Sequence, residues 1–406
     1  MQATPPQNLT IIRTLPPSTN NPQTQMADQP LRDDHDFKVK SRSDVTKTVS
    51  EYSLPVNDGH DSCSYSKNSY YQRLSANVEK RKIDEEIAEK LDVLNFLSTS
   101  KTIRIADLGC ATGPNTFNAM QDLIEAIVHK YKSLCPTTPL PEFQVFFNDQ
   151  ASNDFNSLFN ALPAERQYFV VGVPGSFHNQ LFPESSLHFV YTCYALQWLS
   201  TLPEELSDKN SPICNKGRVH YTNAPHEVLN AYSTQFATDV ENFLNARAKE
   251  LVPGGMMVMI LSGIPTGMPY SKIPSGILFD FISSILMNMA TEGLIKEDEV
   301  DSFNIPFYAA SPEEMTGLVE RNGYFSIERM ELTNPATWLG SGPIDIQAWV
   351  MHVRAAMEGI FTEHFSRSEI IDQMFKQMTE KLSDCSEDLK SRSQEKVQLF
   401  VVLKRK

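Results

Sequence analysis

The residues with the clearest chemical meaning lie at 103–115, where an apolar run ends in an acidic residue and a glycine-rich turn follows. Asp107 ends the run, and Gly109 and Gly113 permit a tight turn that a ligand can approach closely. These glycines stand four apart with no third, so the G-x-G-x-x-G spacing of a pyrophosphate cradle is missing. Asp107 instead suits the cationic end of a ligand such as S-adenosylmethionine. The same turn also occurs in Rossmann-like proteins that bind other ligands.

A second carboxylate, Asp149, follows the next apolar run at 143–148. In open α/β folds a carboxylate at this position can accept hydrogen bonds from two adjacent ribose hydroxyls. An aspartate at a strand end is also an ordinary turn or cap residue. Its place after the Asp107 turn favours a cofactor site.

Three further clusters, at 64–72, 172–177 and 193–200, combine aromatic rings with neutral hydrogen-bond donors. Small-molecule pockets commonly have this composition. Aromatic core packing is the commoner explanation for any one of them. The three clusters therefore indicate a pocket only when they are considered together.

The elements that must position these residues alternate between short apolar runs and helical stretches. Helices are predicted at 115–131 and 228–250, and strand and helix in alternation predict an α/β fold with a mostly parallel, doubly wound sheet. Seven strands are predicted, at 103–108, 143–148, 168–173, 187–191, 257–261, 325–330 and 397–403.

Two long, largely helical insertions, 273–292 and 346–389, interrupt this alternation. We expect them to form a cap over the carboxyl edge of the sheet, where ligands of open α/β folds bind. Residues 1–58 are rich in Pro, Thr, Asn and Gln without an apolar face, which predicts a disordered tail. The catalytic domain would then span 59–406, with its cap mainly from 264–322 and 335–390.

Composition narrows the classes of partner. The 406 residues include 50 acidic and 36 basic side chains, a formal net charge of -14, which disfavours nucleic acid and anionic membrane surfaces. Six cysteines without a C-x-x-C pair suggest reduced thiols in a cytoplasmic protein. No apolar run approaches the roughly 18 residues of a membrane span.

The motifs resemble those of the plant SABATH methyltransferases, and the resemblance runs from about residue 64 to 406. They are SYxxNSxxQ from Ser64, ADLGCxxGPN from Ala106, FFND from Phe146, GVPGSF from Gly172 and DSFNIP from Asp301. Within the family the likeness is nearest to loganate and farnesoate methyltransferases. It implies a class I methyltransferase fold and methyl transfer from S-adenosylmethionine to the carboxylate of a small, fairly apolar acid. An iridoid, terpenoid, aryl or indole acid would fit.

The resemblance also implies roles for individual residues. Gln72 and Trp198 match the pair that hydrogen-bonds the substrate carboxylate, and Tyr194 and Gln197 match substrate-lining positions. The residues that match cofactor-binding positions are Tyr65, Ser69, Asp107, Cys110, Asn115, Asp149, Gln150, Ser176, Phe177 and Cys193.

Two further properties follow from the resemblance alone. Family members often carry a magnesium ion, whose ligands here would be Asn215, Asp301, Asn304 and the backbone carbonyl of Phe303. Asp and Asn near a turn are also common helix caps. The family further implies a homodimer.

The chain departs from the family pattern at two places. Asn57 stands where relatives often have a lysine that could help to hold an anion, and Gln197 replaces a His or Met. The choice of acid therefore cannot be copied from relatives.

Three alternatives remain open at this point. Purine N-methylating relatives tend to carry Asn where Gln72 stands. A nicotinamide oxidoreductase would need the missing G-x-G-x-x-G register. A binding module that holds its ligands without turnover would show no methyl transfer.

Overall fold

The structure is a computed structural model that describes residues 64–337, 339 and 343–406. The predictions about the tail at 1–58 and about Asn57 therefore lie outside the described residues. Among those residues, no helix is both long and apolar enough to cross a membrane.

One mixed sheet organises the described chain, with the strand order β3-β2-β1-β4-β5-β7-β6. The pairs among β1 to β5 are parallel, and β7 runs antiparallel to both β5 and β6. The prediction of a mostly parallel, seven-stranded, doubly wound sheet is confirmed. The strands are β1 (Thr102–Leu108), β2 (Glu142–Asp149), β3 (Phe169–Pro174), β4 (Leu187–Cys193), β5 (Leu251–Ser262), β6 (Phe325–Thr333) and β7 (Gln398–Arg405).

The helices fill the connections between the strands. Short 3₁₀ turns lie at Glu204–Leu206 and Tyr270–Lys272. The α-helices are α1 (Tyr65–Asn68), α2 (Tyr70–Asn77), α3 (Lys80–Lys90), α4 (Val93–Thr99), α5 (Pro114–Leu134), α6 (Phe155–Asn160), α7 (His226–Glu250), α8 (Pro274–Thr291), α9 (Glu297–Asp301), α10 (Pro312–Asn322), α11 (Ile346–Phe365), α12 (Ser368–Asp384) and α13 (Ser386–Arg392).

Alternation along the strands supplies both faces of the sheet with apolar side chains. In β1, Ile103 and Ile105 pack in one buried cluster with α3, α4 and α5. The next residue, Ala106, belongs to the cluster on the other face, which α7 and α10 cover. Helix α5 begins directly after the glycine-rich turn, where Pro114 occupies its first turn. The turn is therefore anchored between a buried strand and a buried helix.

The cap has an apolar core of its own, formed by α8, α9, α11, α12 and α13. The predicted insertions at 273–292 and 346–389 correspond to α8 and to α11 through α13. Helix α10, which falls inside the predicted cap segment 264–322, packs instead against α7 and β6. Its buried face, Met315, Leu318 and Val319, belongs to the sheet cluster, because burial against β6 leaves this helix no apolar surface for the cap.

Candidate active site

The glycine-rich turn lies against the carboxyl end of β2. The backbone N–H groups of Gly109 and Cys110 donate to the carbonyl of Asn148, at 2.9 and 3.0 Å. The N–H of Ala111 donates to Asp149 Oδ2 at 2.7 Å. Gly109 has a φ of 82°, and a Cβ on it would lie 2.3 Å from the Cβ of Ala195. The turn thus requires glycine both for its backbone conformation and for the close approach of the neighbouring loop.

A first cavity opens beside this turn and is called the cofactor cavity below. It measures about 1090 Å³, including the part open to solvent. Six of the ten residues predicted to bind the cofactor line it: Tyr65, Asp149, Gln150, Ser176, Phe177 and Cys193. The carboxyl ends of β2, β3 and β4 carry most of them, as expected for an open α/β sheet.

Three other predicted cofactor residues, Asp107, Cys110 and Asn115, line an adjoining cavity between α2, α3 and α5. The adjoining cavity shares Tyr65 and Cys193 with the cofactor cavity, so the two groups border one continuous region. The tenth residue differs. Ser69 lines neither cavity, and its backbone carbonyl accepts a hydrogen bond from Asn115 Nδ2 at 3.1 Å. The contact of Ser69 with the cofactor stays a prediction.

Asp107 is a buried carboxyl group without a cationic partner among the described residues. Its side chain is only 3% exposed, and Thr116 Oγ1 donates a hydrogen bond to it. Burial raises the pKa of Asp107 to about 7, and the negative charge of Asp149 adds to the effect. A ligand that brings a positive charge to this position would relieve the cost of ionising the carboxyl group.

A second cavity, the acid cavity below, measures about 1350 Å³ with its open part and lies between the cap and the sheet. Gln72, Tyr194, Trp198 and Ala356 line both this cavity and the cofactor cavity. The side chains that the sequence assigned to a carboxylate and to a cofactor therefore meet at one junction.

The two donors at this junction are unpaired in the described part of the chain. Gln72 Oε1 accepts a hydrogen bond from the Tyr65 hydroxyl, while no described residue accepts one from Gln72 Nε2. The Trp198 ring packs edge-on against Phe307 with a centroid distance of 5.4 Å. Its indole N–H likewise has no acceptor among the residues that the structure describes. Both groups can donate to a bound anion without breaking an internal hydrogen bond.

The remaining wall of the acid cavity is mostly apolar. Gln197 lines it, but its Nε2 donates to the backbone carbonyl of Tyr194 at 2.9 Å and its side chain is 4% exposed. His352 Nδ1 lies 3.2 Å from the carbonyl of Asn68, and burial lowers the pKa of His352 to about 4. His352 is therefore neutral at pH 7. The apolar lining residues include Ile273, Leu278, Phe279, Phe307, Ile344, Trp349, Val353, Ala356 and Met357.

Helix α7 supports the cofactor cavity in a way that the sequence analysis missed. Arg247 is fully buried and forms an ion pair with Glu250 at 2.6 Å. It also donates to the backbone carbonyls of Phe177 and Asn179 at 2.6 and 3.0 Å. The available signal was an Arg and a Glu three residues apart on the same face as Tyr232, Phe236 and Phe243. Asp239 is a third buried polar residue of this helix.

Three of the four predicted metal ligands, Asn215, Asp301 and Asn304, form hydrogen bonds within one part of the structure, and none of them lines the cofactor cavity or the acid cavity. Asp301 Oδ1 accepts from the N–H of Gly217, and Asn215 Nδ2 donates to Asn304 Oδ1, both at 2.8 Å. Asn215 Oδ1 is buried without a described partner. A carboxylate and an amide oxygen without a described partner are ligand types that a hard cation such as magnesium prefers, whereas Asn304 Nδ2, which is also buried without a described partner, is a donor and cannot bind one. No group of three His, Cys, Asp or Glu side chains adds to this donor set within the described residues.

Comparison with known proteins agrees with this geometry. A family model described as SAM-dependent carboxyl methyltransferase matches residues 51–406. Loganic acid O-methyltransferase of Catharanthus roseus is 45% identical over 356 residues, which cover 87% of this chain and 94% of that protein. Farnesoic acid carboxyl-O-methyltransferase of Arabidopsis thaliana is 37% identical over 342 residues, which cover 84% and 96%.

A solved structure is also similar over most of its length. The structure of loganic acid methyltransferase with SAH has a TM-score of 0.82 and 44% identity, and the match covers 87% of this chain and 99% of that one. Fold, cavities and sequence relatives lead to the same assignment. The chain belongs to the plant SABATH family of S-adenosylmethionine-dependent carboxyl methyltransferases.

Proposed function

We propose that the chain methylates a small, mainly apolar acid whose carboxylate is held by Gln72 and Trp198 at the junction of the two cavities. The observation that carries this proposal is the pair of neutral donors, each without an acceptor in the described chain, where the cavities meet. A carboxylate placed there would satisfy both donors and would face the cofactor cavity.

S-adenosylmethionine supplies the activated methyl group, and the chain's own residues hold and orient the acid. A carboxylic acid with a pKa near 4 is almost fully ionised at pH 7, so no general base is required. The Tyr65 hydroxyl occupies Gln72 Oε1, which turns the Nε2 donor toward the acid. Asp149 would bind the ribose hydroxyls of the cofactor, and Asp107 its amino group.

Positioning is then the main catalytic contribution of the protein. An acid oxygen aligned with the transferable methyl group can gain up to roughly 7–11 kcal/mol relative to reaction in free solution. Positive and negative charge cancel during the transfer, so the apolar walls formed by α8 and α11 favour the transition state over the separated ions.

The same walls restrict the class of acid. Phe279, Phe307, Val353 and Met357 provide apolar surface, while His352 and the side chains of Ser75, Ser262, Ser275 and Ser393 provide neutral polar groups. A terpenoid acid would place its apolar skeleton on these walls, and the hydroxyl groups of an iridoid acid could bond to the serines. Loganic and farnesoic acids, named in two relatives, are therefore the first candidates, with aryl and indole acids next.

The test is product analysis with purified protein and labelled methyl donor. We expect a methyl ester from an iridoid or terpenoid acid, and alkali should remove the added methyl group. An alkali-stable product from a purine would instead support N-methylation. Absence of turnover with every acid, despite normal cofactor binding, would indicate a binding module.

We also propose a bound metal ion, an oligomeric state, a cellular location and a domain boundary. Asp301 and Asn215 would bind magnesium, and its addition should then raise the melting temperature of chelator-treated protein. The homodimer and the cytoplasmic location follow from the resemblance and from the cysteine pattern alone. The domain boundary near residue 59 is likewise a proposal, because it falls outside the described residues.

A further inference from the structure

Glu79 is a fully buried carboxylate that lines none of the three cavities described above. It precedes α3, immediately after the helix that carries Gln72. Its Oε2 lies 3.1 Å from Lys82 Nζ, and its Oε1 accepts from Gln398 Nε2 at 2.8 Å and from Thr333 Oγ1 at 2.5 Å. A buried carboxylate is costly to desolvate, so its retention calls for a physical reason.

Gln398 connects this carboxylate to the active site. Its side chain is fully buried at the start of β7, where its Cα pairs with Ser262 of β5 and Thr333 of β6. Gln398 Oε1 accepts a hydrogen bond from the Tyr194 hydroxyl. Because Glu79 can only accept, it takes the amide N–H of Gln398 and leaves the amide oxygen facing Tyr194. Glu79 thus determines which end of this amide Tyr194 meets.

Tyr194 lies at the place where this orientation matters for substrate. It lines both the cofactor cavity and the acid cavity, and its backbone has a φ of 54°. With the Gln398 amide reversed, its N–H groups rather than its oxygen would face the Tyr194 hydroxyl, which would lose the acceptor of its proton.

We propose that Glu79 is a positioning residue for methyl transfer: through Gln398 it holds Tyr194 at the junction of the two cavities. The inference rests on the proposed function, because it concerns placement of the acid. It predicts an effect on turnover of the acid with little effect on cofactor affinity. A purely structural role, in which Glu79 only fastens α3 to the sheet, predicts loss of stability and of all activities together.

The experiment is a double-mutant cycle in the full chain. Glu79→Gln keeps the side-chain size and removes the charge, and we expect about a tenfold lower kcat/KM for the acid. The Kd for S-adenosylhomocysteine, measured by calorimetry, should stay within about twofold. In a Tyr194→Phe background, Glu79→Gln should cause no further loss of kcat/KM, because the hydroxyl that it orients is already absent.

Glu86 offers a matched control within α3, the helix that Glu79 precedes. It is also buried, and it pairs with Lys90 at 2.9 Å and Arg329 at 3.4 Å, but the described structure records no bond from it to Gln398 or Tyr194. Glu86→Gln should lower stability without the selective loss of kcat/KM. If Glu79→Gln does not fold, Gln398→Met removes the acceptor of Tyr194 and enters the same cycle.

Two outcomes would overturn the proposal. One is an equal loss from Glu79→Gln in the wild-type and Tyr194→Phe backgrounds. The other is a parallel fall in stability, S-adenosylhomocysteine affinity and turnover that Glu86→Gln reproduces. Failure of the proposed function has a different signature, since the wild-type chain would then form no methyl ester from any acid of the panel.

Discussion

Binding of the cofactor product S-adenosylhomocysteine should release a proton from Asp107. The pKa of this buried carboxyl group is about 7, so about nine in ten apo molecules carry the proton at pH 6. An ammonium group placed beside Asp107 would favour the ionised form and lower this pKa. The apparent affinity should therefore fall by up to about tenfold for each pH unit below 7.

The same shift has a defined sign for stability. The native state of the apo protein binds more protons than the unfolded state between the ordinary pKa of 3.8 and about 7. The contribution of Asp107 to the free energy of unfolding is therefore greatest below about pH 4 and is lost as the pH rises through 7. With ligand bound, this decline should shrink, because the ligand lowers the pKa of the native state.

Calorimetry in two buffers of different ionisation enthalpy measures the released proton directly. We expect close to one proton released per bound ligand at pH 6 and about 0.1 at pH 8. Asp107→Asn keeps the size of the side chain and a bond to Thr116, and it should abolish the pH dependence. The variant also distinguishes protonation of Asp107 from protonation of Asp149 or His178, which line the cofactor cavity. An affinity that is flat from pH 5.5 to 7.5, or an unchanged slope in Asp107→Asn, would refute the reasoning.

The other predictions concern single side chains. Gln72→Ala and Trp198→Phe should each lower kcat/KM for the acid ten- to a hundredfold, about 1.5–3 kcal/mol, with little change in S-adenosylhomocysteine affinity; cofactor affinity that fell equally would contradict a role in holding the acid. Gly109→Ala should weaken cofactor binding strongly, whereas Gly113→Ala, whose nearest contact is 3.4 Å, should be tolerated; calorimetry compares them. Arg247→Met removes the cationic partner of the buried Glu250, which then keeps only the backbone N–H groups of Leu181 and Phe182, and should cost about 3–5 kcal/mol of unfolding free energy in urea titrations; unchanged stability would exclude this.

Most of the fold was accessible from sequence because buried strands of a parallel sheet appear as apolar runs. The difference at β5 has a local cause. The predicted strand began at 257, while the observed strand begins at Leu251 and has an irregular register before Met256. Pro253, Gly254 and Gly255 indicate a break in sequence, but the sheet accommodates them in this irregularity. The local sequence does not determine what a helix packs against. For this reason α10 was predicted as part of the cap although it packs against α7 and β6.

The site was predictable where function concentrates unusual residues in one short segment. The turn at 107–113 and the clusters around Gln72 and Trp198 are of this kind. The supporting residues are not, because their chemical meaning depends on partners distant in sequence. Glu79 and Gln398 bond across 319 positions. A single glutamate or glutamine has no local signature until the fold places the two in one buried network.

Neutral donors at the junction explain why the choice of acid is not visible in the motifs. A cation beside the carboxylate would bind the acid more tightly, but it would also stabilise the negative charge that the reaction must remove. The tighter binding of the substrate would therefore not increase the rate of methyl transfer. None of the described residues that line the acid cavity is a lysine or an arginine, and the net charge of -14 provides no long-range attraction for an anion. Gln72 and Trp198 can therefore align any carboxylate with similar strength. Selection among acids must therefore come from how well the apolar part of the acid fits against α8 and α11. This fit depends on the shape of the cavity and is not recorded in a short sequence motif.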